Sequence, residues 1–124
     1  MNTSQTIYEL VGEKKIRLLT SYFYQAVAKN EALKKLYPED LAPAEDRLAL
    51  FLIQVFGGPE TYSDHRGHPR LRMRHAKWKI DAEMRDHWMN AMLLGLDKIQ
   101  LDTNVKEAMM SYFVKAANHM VNHA

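Results

Sequence analysis

Apolar residues recur at steps of three and four along most of the chain, which is the spacing that places them on one buried face of a helix. The first such stripe runs from Glu13 to Ala28, and a short continuation carries Leu33 and Leu36. Because proline disfavours helical geometry in the residue before it, we expect the chain to turn at Tyr37, directly before Pro38. The pattern therefore predicts a long helix, a short one and a turn.

The next helix is predicted between two proline-containing stretches. Pro43 suits a first helical turn, and the sequence Gly57-Gly58-Pro59 stops the helix. Residues 60–70 are rich in turn formers, so we expect a short helix only from about Arg70 to Ala76. The apolar stripe of the predicted helix consists of Leu48, Phe51, Leu52, Val55 and Phe56.

Two longer helices are predicted in the last third of the chain. Asp81 can cap the first, which ends between residues 97 and 101, and Asp102 or Thr103 opens the second. We find no alternating strand pattern, so the sequence predicts one all-helical domain over residues 1–124 with a long irregular insert. The apolar positions of these helices are Met84, Trp88, Ala91, Met92, Leu96 and Ile99, then Val105, Ala108, Met109, Tyr112, Phe113, Ala116, Met120 and Val121.

The composition excludes several classes of protein. Apolar residues make up 47% of the 124 residues and charged residues 26%, which is ordinary for a globular domain. The net charge of +2 is too small for a general nucleic-acid or membrane binder. There is no cysteine, which excludes disulfides and thiolate metal sites, and no signal or membrane-spanning stretch is present. We therefore expect a soluble cytoplasmic protein without a membrane partner.

The insert contains the stretch HRGHPRLRMRHAKW at residues 65–78, which concentrates positive charge. Guanidinium groups bind carboxylates and phosphates through paired hydrogen bonds. A solvated helix face, a phosphate-binding patch of a helical nucleic-acid-binding module, and a grip for an anionic cofactor all remain open from this run. The arginine-bearing part, residues 66–74, contains no lysine and lacks aromatic interleaving, which disfavours a single-strand binder. Its arginines are Arg66, Arg70, Arg72 and Arg74.

Of the six histidines, His75 differs because it falls on the predicted short helix facing the core. A structural histidine explains it, but a single imidazole can also hold an iron atom whose equatorial positions are filled by a porphyrin. We expect His87 to be solvated. Hydrogen bonding explains His65 and His68, and no histidine pair has the carboxylate of a zinc hydrolase motif.

A porphyrin would also need an apolar cavity with a few hydrogen-bond donors. Tyr24, Tyr37 and Trp88 each combine a large apolar body with one donor. Core packing explains them equally well. The spacing allows Tyr22, Phe23 or Tyr112 the same place, so periodicity alone does not choose.

The segments YPEDLAPAEDRLALFLIQVFGGPETYS (residues 37–63) and RGHPRLRMRHA (residues 66–76) resemble the second group of truncated haemoglobins. The resemblance covers about Tyr8 to Val121 and implies a shortened globin fold, with two helix pairs packed two-over-two around haem b. It implies that His75 is the proximal iron ligand. The implied distal residues are Tyr24, Tyr37, Trp88, Leu48 and Ala44, and the implied haem contacts are Phe51, Arg47, Tyr62, His68, Arg72 and Arg74.

The resemblance implies that the protein binds O2, NO and CO. Three distal donors would slow oxygen release, which suits sensing, scavenging or redox detoxification more than bulk delivery. A peroxidase or NO dioxygenase supplied by a reductase is the alternative reading, and a nucleic-acid-binding module is a weaker one. A monomer and a homodimer both remain open.

The sequence departs from this pattern at three places. Phe56 stands where tryptophan is frequent, and VGEKK has one glycine where many relatives have two; both should alter packing only. Lys77-Trp78 stands where relatives commonly read Pro-Phe. This pair follows His75 and can shift the proximal helix.

Overall fold

The computed structural model describes residues 5–66 and 80–121, with the backbone alone at residues 65 and 66. Within these ranges the regular structure is entirely helical, which confirms the predicted all-helical class. The helices are α1 (Ile7–Val11), α2 (Glu13–Ala28), α3 (Glu31–Lys34), α4 (Ala42–Val55), α5 (Thr61–Arg66), α6 (Ala82–Lys98) and α7 (Thr103–Met120).

Four long helices form the core, with α2 packed on α4 and on α6, and α6 packed on α7. Helices α2 and α6 run antiparallel, because Lys15 donates to the Gln100 carbonyl at one end while the rings of Phe23 and Trp88 meet at the other. Helices α6 and α7 are also antiparallel: they are consecutive in the chain, and Lys106 near the start of α7 bonds Asp97 near the end of α6. The core therefore consists of two helix pairs that meet along α2 and α6.

Gly95 sets the closeness of the central crossing. A Cβ atom on Gly95 would lie 2.9 Å from Leu19 Cδ1 and 3.2 Å from the Leu19 carbonyl oxygen. Leu19 is fully buried. Helices α2 and α6 therefore approach more closely than a residue with a side chain at position 95 would allow.

The predicted helix ends are confirmed where local chemistry determines them. The Asp81 carboxylate accepts a hydrogen bond from Met84 N at 2.9 Å and caps α6. Pro43 lies in the first turn of α4. That helix ends before Gly57, which has φ of 102°, a backbone conformation that glycine adopts without strain. The chain bends at Tyr37, as expected.

Helix α5 is a correction, because residues 60–70 were expected to form turns. Its first turn is bound to α4 by the Gln54 side chain: Gln54 Oε1 accepts from Ser63 N at 2.9 Å, and Gln54 Nε2 donates to Ser63 Oγ at 2.7 Å. This tertiary contact stabilises a six-residue helix that local sequence preference does not predict. The predicted helix from Arg70 to Ala76 lies outside the described residues.

Two smaller differences concern the ends of the chain. Helix α1 was not predicted, although Thr6 and Glu9 form a reciprocal capping box at its start. In α7, Ala108 is exposed and Ala117 is buried, whereas Ala108 and Ala116 were expected in the core. The buried face follows four-residue steps from Met109 through Phe113, which places Ala117 on its line.

No helix in the described part of the chain is long and apolar enough to cross a membrane.

Candidate functional site

The side chains of Tyr24 and Tyr37 meet edge to face. Tyr24 lies on α2 and Tyr37 in the bend after α3, and their ring centroids are 5.5 Å apart with the planes at 86°. The two hydroxyls are hydrogen-bonded to each other. Burial raises the pKa of Tyr37 to about 12, and burial, followed by the contact with Tyr37, also raises the pKa of Tyr24. Both phenols are therefore neutral at physiological pH and keep their protons for donation.

Trp88 lies on α6 and is held between two phenylalanine rings. The Phe23 ring centroid is 5.4 Å from that of Trp88, and the Phe113 ring centroid is 6.0 Å away, both in edge-to-face geometry. Both phenylalanines are buried, and edge-to-face pairs of this kind add to the free energy gained from burial alone. The plane of the indole is therefore fixed by α2 on one side and α7 on the other.

Tyr37 and Trp88 line the same cleft between α3, α6 and α7. Since Tyr24 contacts Tyr37 and packs against Phe23, which in turn contacts Trp88, the three predicted distal donors are brought together by elements that are far apart in sequence. The rest of the wall consists of Arg85 and of apolar side chains. These are Leu33, Leu36, Ile80, Met84, Ala117 and Met120.

Helix α4 carries three further predicted site residues, which are apolar. Ala44 is buried, Leu48 is half-buried one turn later on the same face, and Phe51 follows as a buried residue. The Phe51 ring centroid is 5.3 Å from that of Tyr62 on α5. Tyr62 is buried at this place because the Gln54 contact to the neighbouring residue 63 holds α5 against α4.

Charged residues of α4 act on the Tyr24 hydroxyl. The positive charge of Arg47 opposes the rise in the pKa of Tyr24, and the negative charge of Glu45 adds to it. Both effects are smaller than burial and the contact with Tyr37. Arg47 therefore lies near the phenol pair and is half-buried, where its guanidinium can meet an anionic group.

The predicted residues on the proximal side, His75, His68, Arg72 and Arg74, lie outside the described residues, as does the pair Lys77-Trp78. Within residues 5–66 and 80–121, no cluster of three or more histidine, aspartate or glutamate side chains is arranged to hold a metal ion.

His87 was expected to be solvated, and its side chain is 34% exposed, but it also makes a contact that the sequence did not predict. It is half-buried, with Nδ1 3.1 Å from Asn30 Nδ2 and Nε2 3.8 Å from Glu83 Oε1. The sequence gives little signal for this contact, because Asn30 lies 57 positions away. The one local signal is that Asn30 stands directly before Glu31, where asparagine is a favoured helix cap; this signal indicates the cap and not the contact with His87.

Phe56, one of the departures in the sequence, is buried among aromatic rings. Its ring centroid is 5.4 Å from that of Tyr112 and 5.9 Å from that of Phe113. It therefore takes part in the packing behind Trp88.

Comparison with known proteins gives the family. Residues 6–122 match the profile of the bacterial-like globins. The chain belongs to this family. It is 36% identical to the group 2 truncated haemoglobin YjbI of Bacillus subtilis over 115 residues, which are 93% of this chain and 87% of that protein. Globins of this kind bind diatomic gases at haem, so membership implies a haem cofactor.

Solved structures agree with the fold of this globin. A thermostable haemoglobin from Thermobifida fusca is 48% identical, with a TM-score of 0.93 over 95% of this chain and 98% of that one. A truncated oxygen-avid haemoglobin from Bacillus subtilis is 35% identical, with a TM-score of 0.92 over 95% of this chain and 100% of that one. The shortened globin fold implied by the sequence is confirmed.

The described residues of this globin fit haem by their chemistry. Haem presents a flat apolar ring, two carboxylates at one edge and a position for a small ligand. The buried face of α4 offers apolar contacts, Arg47 offers a cation, and the neutral phenols and the indole offer donors.

Proposed function

We propose that this globin binds oxygen and other diatomic gases at haem b and that it releases oxygen slowly. The observation that supports slow release is that Trp88 and Tyr37 line one largely apolar cleft, with the Tyr24 phenol packed against Tyr37. The oxygen-avid relative from Bacillus subtilis has the same fold, which agrees with this reading. Since the chain has no cysteine to protect or to oxidise, we also propose the reducing cytoplasm as its compartment.

Each side of the site has a proposed role. His75 would bind iron through one imidazole nitrogen and present the other to a hydrogen-bond acceptor, which fixes the ring. Ala44 and Leu48 would shape the entrance to the distal side. When bound, haem would supply an iron atom that can bind a diatomic gas and shift negative charge onto it. The proposed ring and propionate contacts are Phe51, Tyr62, Arg47, His68, Arg72 and Arg74.

The proposed donors to the ligand are the hydroxyls of Tyr24 and Tyr37, which also contact each other, and the indole N–H of Trp88. A hydrogen bond to a charged acceptor contributes about 1.5–3 kcal/mol, so each donor slows release by roughly 10- to 150-fold.

The experiment is stopped-flow measurement of oxygen dissociation from the purified ferrous protein, after its Soret absorption band has shown that haem is bound. Tyr24→Phe should raise the dissociation rate roughly 10-fold or more. The matched control is Tyr22→Phe, which removes the same hydroxyl from a ring that packs against Lys98 instead. A colourless protein would reject the proposal. Equal dissociation rates for Tyr24→Phe and Tyr22→Phe would show that the Tyr24 hydroxyl does not slow oxygen release.

A further inference from the structure

We propose that Asn30 and His87 are positioning residues: their hydrogen bond fixes the segment that carries Tyr37 relative to the helix that carries Trp88. The inference rests on the proposed function, because it concerns the placing of the two donors. Asn30 lies between α2 and α3, and His87 lies on α6 directly before Trp88. The distance of 3.1 Å from Asn30 Nδ2 to His87 Nδ1 is that of a hydrogen bond.

The orientation of the Asn30 amide follows from its second contact. Asn30 Oδ1 accepts a hydrogen bond from Leu33 N at 3.0 Å and thereby caps α3. The oxygen of the amide is thus used by α3, and the NH2 group faces His87. One side chain therefore supports α3 and joins it to α6 at the same time.

The orientation of the His87 ring follows in turn. Since Asn30 donates, Nδ1 of His87 accepts and carries no proton, which leaves the proton of the neutral ring on Nε2. Nε2 faces Glu83 Oε1, one turn earlier on α6, at 3.8 Å. The hydrogen bond from Asn30 is therefore the contact that orients the ring, and the backbone of His87 continues directly into Trp88.

The other end of the link leads to Tyr37. Helix α3 is a single turn, and Tyr37 N donates to the carbonyl of its last residue, Lys34, at 3.3 Å. Leu33, whose backbone N–H donates to the Asn30 side chain, lines the cleft together with Tyr37 and Trp88. A helix of one turn has little stability of its own. Its position, and with it the position of Tyr37, depends on contacts such as the one to His87.

The variants separate the link from the cap. Asn30→Ser keeps a favoured cap but is too short to reach His87, and His87→Phe removes the acceptor. Each should speed oxygen dissociation by about 2- to 10-fold, the range for one net hydrogen bond. The double variant should be no faster than the faster single one, since both remove the same bond. His87→Gln restores an acceptor and should bring the rate to within about 2-fold of the wild type.

The control for a merely structural effect is Lys106→Met. This change breaks the 2.5 Å contact with Asp97, which also joins α6 to a neighbouring helix but lies nine residues beyond Trp88. It should lower the unfolding midpoint without changing oxygen dissociation. The second readout is the indole N–H resonance of Trp88 in the NMR spectrum of the carbon monoxide form, assigned with Trp88→Phe. It should shift in Asn30→Ser and His87→Phe and stay in place in Lys106→Met.

Several outcomes would overturn the link. These are wild-type dissociation rates in both single variants, additive effects in the double variant, or an equal effect of Lys106→Met. If the two single variants failed to bind haem, a folded His87→Gln variant with an altered rate and a shifted indole resonance would overturn it as well. Normal rates in the link variants beside a fast Tyr24→Phe variant would reject the link alone. A chain that took up no haem would reject the proposed function and the link together.

Discussion

Replacing Gly95 with alanine tests the central crossing of the fold. The added methyl group would lie 2.9 Å from Leu19 Cδ1, 3.2 Å from the Leu19 carbonyl oxygen and 3.6 Å from Phe23 N. The first contact involves a side chain that is fully buried, and the second involves backbone that cannot rotate away. Helix α6 must therefore move away from α2 by several tenths of an ångström.

The expected cost is the difference between two effects. Overpacking a close-packed core costs about 1–3 kcal/mol, and a contact with backbone favours the upper half of this range. Alanine is more favourable than glycine inside a helix by about 1 kcal/mol, which offsets part of the loss. We expect Gly95→Ala to lower the free energy of unfolding by about 1–2 kcal/mol.

The assay is urea unfolding of the carbon monoxide form, followed by far-ultraviolet circular dichroism. Asn90→Ala is the matched control, because residue 90 is exposed on the same helix and the change brings only the gain in helix preference. This control should be slightly more stable than the wild type. If Gly95→Ala were as stable as Asn90→Ala, the close approach of α2 and α6 described above would be wrong.

Three further predictions concern other parts of the molecule. Burial raises the pKa of Tyr37 from 10.0 to about 12, so its contribution to stability is complete below pH 10 and is lost as pH rises toward 12. Tyr37 alone should account for a loss of up to about 3 kcal/mol in urea unfolding over this range, so the total loss should be smaller in Tyr37→Phe than in the wild type. Gln54→Leu removes both hydrogen bonds to Ser63 and should lower stability by about 1–3 kcal/mol, with faster proteolysis at α5; unchanged proteolysis would count against the anchoring role. His75→Gly should alter the Soret band, with recovery on addition of imidazole, whereas an unaltered band would exclude His75 as the iron ligand.

The sequence predicted those parts of the fold that depend on local chemistry. The stripe of α2 and the Asp81 cap of α6 are read directly from spacing and residue type. Helix α5 was missed because its stability comes from Gln54, which belongs to another helix. A helix in a short segment of turn-forming residues can be predicted only when the tertiary contact that stabilises it is known.

The candidate site divides in the same way. Spacing allowed Tyr22 as readily as Tyr24, and the family resemblance selected Tyr24 before the packing placed it beside Tyr37. The hydrogen bond between the two phenols and the contact of Asn30 with His87 join residues from separate elements. Neither leaves a periodic pattern in the chain, so neither was available before the structure.

The clamping of Trp88 between Phe23 and Phe113 has a consequence for the choice among gases. If Trp88 donates to the ligand as proposed, an indole whose orientation is restricted by two rings loses less entropy on forming that bond, so more of the bond energy contributes to the affinity. The bond would favour a gas that draws negative charge from the iron, as oxygen does. Carbon monoxide takes up far less charge and would gain little from the same N–H. Packing by Phe23 and Phe113 would in this way favour oxygen over carbon monoxide.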